Sequence, residues 1–107
     1  MSDEEIRAYK IADMNDRFRG AAINVMITRG VRDTLPDLVG LLKAVEEYDA
    51  FTEDNDPHGE HDFGSLKWYW EKVFWKIDYY DQELKYGEDP LSENCRRVLT
   101  VMLASEY

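Results

Sequence analysis

Between Lys43 and Lys67 the chain runs 23 residues without a lysine or arginine, yet that stretch holds Glu46, Glu47, Asp49, Glu53, Asp54, Asp56, Glu60 and Asp62. A surface with no positive charge repels nucleic acid and anionic membrane, so neither is expected as a direct partner. Cysteine is nearly absent as well. With Cys95 alone, no intrachain disulfide and no thiolate zinc cluster can form, and a reducing cytoplasm is the expected compartment. The first ten residues are charged rather than apolar, which argues against an export signal, and no run approaches the ~20 apolar residues of a membrane span. The chain also lacks a glycine-rich phosphate loop, a Gly-x-Ser-x-Gly elbow and a usable Cys–His pair. No cofactor is called for.

What remains is acidic and aromatic. Residues 1–43 hold seven acids and seven bases, whereas 44–107 hold sixteen acids and six bases, so the net charge of −10 belongs to the second part. Hydrophobic residues make up 44% and aromatics 13%, more than a disordered acidic chain carries, and 107 residues suit one folded domain over 1–107.

Ser2 with Glu5 forms a capping box for a first helix over 3–19, with an apolar stripe of Ile6, Tyr9, Ile11, Met14 and Phe18. Alternation of Ile23, Val25 and Ile27 predicts a strand over 22–28. Thr34, Pro36 and Asp37 open a second helix over about 35–50, buried through Leu35, Leu38, Leu42 and Val45. Glu46, Glu47 and Asp49 oppose the dipole at its end, each at a cost of about 0.3–1 kcal/mol. Residues 52–62 have turn chemistry and form an acidic loop.

The aromatic stretch 63–80 reads as a hairpin. A turn at Tyr69 and Trp70 sets Leu66 against Val73, Gly64 against Trp75 and Asp62 against Ile77. Leu66, Trp68, Val73, Trp75, Ile77 and Tyr79 then share the core face, and Phe63, Lys67, Lys72, Phe74, Lys76 and Asp78 the other. A two-residue turn normally takes Asn-Gly, so exposed Tyr69 and Trp70 would be an interaction anchor; the alternative puts the turn elsewhere and Trp70 in the core. Asp89 and Pro90 open a last helix, with Leu91, Cys95, Val98, Leu99, Met102 and Leu103 in steps of three and four. The expected fold class is α+β: a small antiparallel three-stranded sheet with helices on one face, in the order α-β-α-β-β-α.

Asp54, Asp56, His58, Gly59, Glu60 and Asp62 have the alternate oxygens of a calcium loop, but Ser65 replaces the bidentate glutamate at the twelfth position and Pro57 stands at the fourth. His58, Glu60, His61 and Asp62 are the candidate metal ligands, too close in sequence to converge on one ion. A His61 that orders the loop by hydrogen bonding is the simpler role. Lys76 and Asp78 are expected to form a surface ion pair.

The stretches FTEDNDPHGEHDFG (51–64), VFWKIDYYD (73–81) and RVLTVMLASEY (97–107), with 11–15 and 26–31, resemble an uncharacterised family of small acidic proteins, a domain of unknown function found mostly in alphaproteobacteria and often associated with plasmids or phages. The resemblance implies no activity. Together these features favour a non-enzymatic acidic interaction protein that meets a basic surface, such as that of a CRISPR effector or restriction enzyme, by mimicking nucleic acid. Its contacts would be Glu46, Glu47, Asp49, Glu53, Asp54, Asp56, Tyr69 and Trp70. A small metal-dependent hydrolase or nuclease using Glu60, His61, Asp62 and Asp78 is the alternative from another class. A homo-oligomeric structural protein whose hairpin pairs with itself is the third.

Overall fold

The computed structural model describes residues 1–21 and 23–107. In chain order its elements are α1 (Asp3–Ala21), β1 (Val25–Ile27), α2 (Arg29–Thr34), α3 (Leu38–Glu46), β2 (Phe63–Trp68), β3 (Glu71–Tyr80), β4 (Arg96–Leu103) and a closing 3₁₀ turn (Ala104–Glu106). The strands form one four-stranded sheet in the order β1-β4-β3-β2, antiparallel except where β1 runs parallel to β4.

The α+β class holds, but the expected last helix is a strand. β4 lies at the centre of the sheet, where Leu99, Val101 and Leu103 face the helices and Val98 and Met102 are buried on the other side. A strand buried on both faces reads as a continuous apolar run, and its residues fall at helical spacing as readily as at strand spacing. Pro90 belongs to the preceding turn. Asp89 accepts from Leu91 N–H at 2.8 Å and pairs with Arg7 rather than capping a helix.

The expected helix over 35–50 is only α3, Leu38–Glu46, and a separate helix, α2, precedes it over residues outside every element expected from the sequence. α2 begins after Thr28, whose hydroxyl accepts from Val31 N–H, and it ends before Pro36. α3 starts behind Asp37, held at φ 54° while its carboxylate accepts from Gly40 N–H at 3.0 Å. The first strand is confined to Val25–Ile27, and Ala22, where the expected strand begins, lies outside the described residues. α1 extends as expected, but Ile6, Tyr9 and Met14 of its apolar stripe are exposed, and the buried positions are Ile11, Ala12, Asn15 and Arg19.

The hairpin has the register read from the sequence. Leu66 pairs with Val73 and Gly64 with Trp75, Asp62 C=O accepts from Ile77 N–H at 2.8 Å, and Tyr69 and Trp70 form the turn. Val73, Trp75 and Ile77 join Val31, Leu41, Val45, Leu99 and Val101 in the core. Phe63 and Phe74 pack with Tyr107 instead. A Cβ on Gly64 would fall within contact distance of Trp75 Nε1, Cε2 and Cζ2, so the indole occupies the space that a side chain would need. Trp75 is fully buried and cannot swing away. Gly64→Ala is therefore expected to destabilise the fold by about 1–3 kcal/mol, the range for forcing an extra methyl into a filled core. Chemical denaturation would measure it, and an unchanged midpoint would refute this packing.

Candidate functional site

The acidic segment after α3 is held in a defined shape. Thr52 and Asn55 cap each other, Thr52 N–H donating to Asn55 Oδ1 at 2.8 Å and Asn55 N–H to Thr52 Oγ1 at 3.2 Å, while Asn55 Nδ2 donates to Ala50 C=O at 2.8 Å. His61 then sits at φ 55° with its N–H directed at the Asp56 carboxylate, 3.3 Å from one oxygen. Its ring stacks on Phe51 with centroids 3.8 Å apart and planes 2° from parallel. Nδ1 lies 3.0 Å from Asp16 and Nε2 3.6 Å from Asp56, so carboxylates face both ring nitrogens. The expected role of His61 in ordering the loop matches these contacts.

Helix α1 supplies the other side, through residues that the sequence reading did not single out. Asn15 and Asp16 stand four and three residues before Arg19, spacings that bring each onto a helical face with it. Asn15 Nδ2 donates to Glu60 C=O at 2.9 Å and to Tyr79 Oη at 2.8 Å, and its Oδ1 accepts from Arg97 Nε at 2.7 Å. Arg97 also donates to Pro90 C=O at 2.7 Å and lies over the Tyr79 ring. Burial pushes the Tyr79 phenol up to about 12. Arg19, 3% exposed, donates to Tyr48 C=O and Asp16 and places its guanidinium 4.7 Å above the Trp75 ring. Two polar residues four apart inside an otherwise imperfect apolar stripe were the available signal.

Between α1 and the loop lies an open groove of about 440 Å³, whose walls carry Glu5, Asp13, Asp16, Glu53 and Asp56, with His58 at its rim. Arg7 and Glu60 line a second hollow of about 620 Å³ beyond Pro57 and His58. This wall suits a cationic group.

The expected contact residues separate into three places. Glu47, Asp49, Glu53 and Asp54 are exposed around the loop and the end of α3. Glu46 is half-buried and lines a small apolar cavity beside Arg19 and Leu42, and the Asp56 carboxylate is turned inward at 7% exposure, so neither belongs to the open surface. Tyr69 and Trp70 are 54% and 63% exposed, which excludes a core Trp70. They stand at the far end of β2, roughly 20 Å from the acidic loop at ~3.3 Å per strand residue. Trp68 Nε1 donates there to Pro36 C=O, near the start of α3, so the aromatic tip is not beside the acids.

The candidate metal ligands are dispersed in the same way. His61 is engaged by Asp16 and Asp56 rather than by Glu60 and Asp62, and among the described residues no group of three His, Cys, Asp or Glu side chains could hold a metal ion. Lys76 pairs with Asp78 at 2.9 Å, the expected ion pair. Cys95 lies in the loop before β4, not on a helix, and desolvation raises its thiol.

A family model described as a protein of unknown function (DUF3768) matches residues 27–106, from β1 through the 3₁₀ turn. The chain belongs to that family. No curated protein and no solved structure matches it. The match begins after α1, so Asn15, Asp16 and Arg19 lie outside it. Among the described residues of this DUF3768 protein no helix is long and apolar enough to cross a membrane.

Desolvation, followed by the charge of Asp62, raises Glu60, and desolvation, followed by the charge of Asp56, raises Asp62. A carboxyl with a raised folded pKa binds more protons folded than unfolded, so its contribution is present below the ordinary carboxylate range and is lost as pH rises through the folded value. Asp62→Asn is therefore expected to raise the thermal midpoint by a few degrees at pH 7 and to leave it little changed near the acid end of that window. Melting curves across pH would test this, and equal effects at both ends would refute it.

Proposed function

We propose that this DUF3768 protein is a non-enzymatic acidic ligand for a basic protein surface that normally holds nucleic acid. The observation that carries the reading is the exposed set Glu47, Asp49, Glu53 and Asp54, on a segment without a base and held in shape through Thr52, Asn55 and His61. Carboxylates held in a fixed array can stand where phosphates would dock without the ordering entropy of a disordered acidic tail. A CRISPR effector or a restriction enzyme offers such a surface, and carriage on plasmids or phages of alphaproteobacteria belongs to the same proposal. Tyr69 and Trp70, a strand's length away, supply a second and apolar point of contact.

The alternative, a metal-dependent hydrolase built on Glu60, His61, Asp62 and Asp78, draws support from the raised Glu60 and Asp62, because proton-transfer groups are often tuned that way. It requires His61 to leave Asp16 and Asp56. The acidic-ligand reading requires no rearrangement.

The test is displacement of fluorescent duplex DNA from a panel of purified CRISPR effectors and restriction enzymes. Displacement by the protein should weaken by tenfold or more between about 50 and 200 mM salt, as counterion release dictates. Replacing Glu47, Asp49, Glu53 and Asp54 together by their amides should abolish it while the circular dichroism spectrum stays unchanged. Displacement that ignores both salt and these substitutions would sink the proposal.

A further inference from the structure

The sheet has two free edges, and they are built differently. β1 is three residues long and is bounded by Asn24 at φ 55° and by α2, which leaves little to pair with. β2 runs for six residues in unbroken register with β3, without proline or bulge, and Lys67 is its only charged residue. Natural edge strands are usually shortened, bulged or charged so that they do not pair with another chain, and β2 has only one of these protections.

Hydrogen-bonded pairs alternate along an antiparallel hairpin, beginning with the residues that flank a two-residue turn. Trp68 with Glu71, Leu66 with Val73 and Gly64 with Trp75 are therefore the bonded pairs, and the Asp62 to Ile77 bond continues the series. The N–H and C=O groups of Phe63, Ser65 and Lys67 point outward. Among the described residues none of these six groups bonds to another part of the chain.

We propose that β2 is the surface through which two copies of this chain pair, antiparallel about a two-fold axis at Ser65. That register uses all six outward groups. It sets Phe63 opposite the second copy's Lys67, where an ammonium can lie on an aromatic ring, and it keeps the two Lys67 residues apart. On the other face Leu66 lies beside the second copy's Gly64, over which that copy's Trp75 indole is packed, so its neighbour is apolar. Continued past the strands, the same register brings Tyr69 and Trp70 of each copy alongside Glu60 and His61 of the other, so the exposed aromatic tip gains cover. Each copy carries a charge of −10, so rising salt should leave this pairing intact or strengthen it. Binding to a basic partner weakens with salt, and the two readings therefore fail independently.

Sedimentation velocity on the whole chain, from micromolar to sub-millimolar concentration, should show a species of twice 12.6 kDa. Ser65→Pro removes an outward N–H that β3 does not use, so the fold should survive while self-association weakens at least tenfold. Phe63→Lys opposes lysine to lysine and should dissociate the pair, and adding Lys67→Glu should restore it. A wild type that stays monomeric throughout overturns the proposal, as does a folded Ser65→Pro that pairs as before. So does a folded Phe63→Lys that Lys67→Glu does not rescue.

Discussion

A guanidinium taken out of water loses solvation worth several kcal/mol, and Arg19 at 3% exposure has to recover it from its surroundings. It does so from three directions. Asp16 supplies a carboxylate, Tyr48 a backbone carbonyl, and the rings of Trp75 and Phe51 their electron-rich faces at 4.7 and 5.4 Å. Among the described residues Nε and Nη1 have no hydrogen-bond partner, and the two ring faces are the guanidinium's neighbours besides those oxygens. Those neighbours come from α1, from the segment after α3 and from β3. Their relative placement is therefore tied to one cation, and the stacking of Phe51 on His61 carries that placement into the acidic loop.

The same arrangement shows how an acidic surface can be rigid. Asp16 receives Arg19 on one side and His61 on the other, and Asp56 turns inward to meet the His61 N–H. Two carboxylates are thus spent on structure, and Glu47, Asp49, Glu53 and Asp54 are left facing outward. Across the sheet the charge balance reverses. Register puts Lys67, Lys72, Lys76 and Arg96 on the face opposite the helices, with Asp78 paired to Lys76. The excess of acid is accordingly a property of one side of the molecule rather than of its whole surface.

Legibility in the sequence followed the physics of each segment. The hairpin could be read to its register because the alternation of β2 and β3 puts Val73, Trp75 and Ile77 on the same side as Leu66, and a two-residue turn at Tyr69 and Trp70 then selects one of the registers that do so. β4 could not, because burial on both faces erases alternation, and its valines and leucines suit either spacing. α2 was not legible because its six residues bury a single side chain, Val31, and so carry no amphipathic stripe, whereas Pro36 and Asp37 did mark the start of α3. The acidic loop was evident from composition, and the ordering role of His61 from its chemistry, but its partner Asp16 came from a helix face whose burial is polar. A buried Asn15 or Arg19 has no signature in hydropathy. Only the tertiary partners Arg97, Tyr79 and Trp75 make such burial affordable.

β4 follows every other strand in the chain and yet lies between β1 and β3. Until its residues have left the ribosome, β1 has no strand to join and β3 has only β2. The early hairpin then presents bare backbone on both sides, and Asn15 waits for the Arg97 that completes its hydrogen bonds. Closure must bring Val25 to Leu99 over most of the chain's length, a long-range contact of the kind that slows folding. The central position of β4 therefore makes assembly of this sheet wait for a strand made after the other three, and until it arrives the edges of β1 and β3 that it covers stand unpaired.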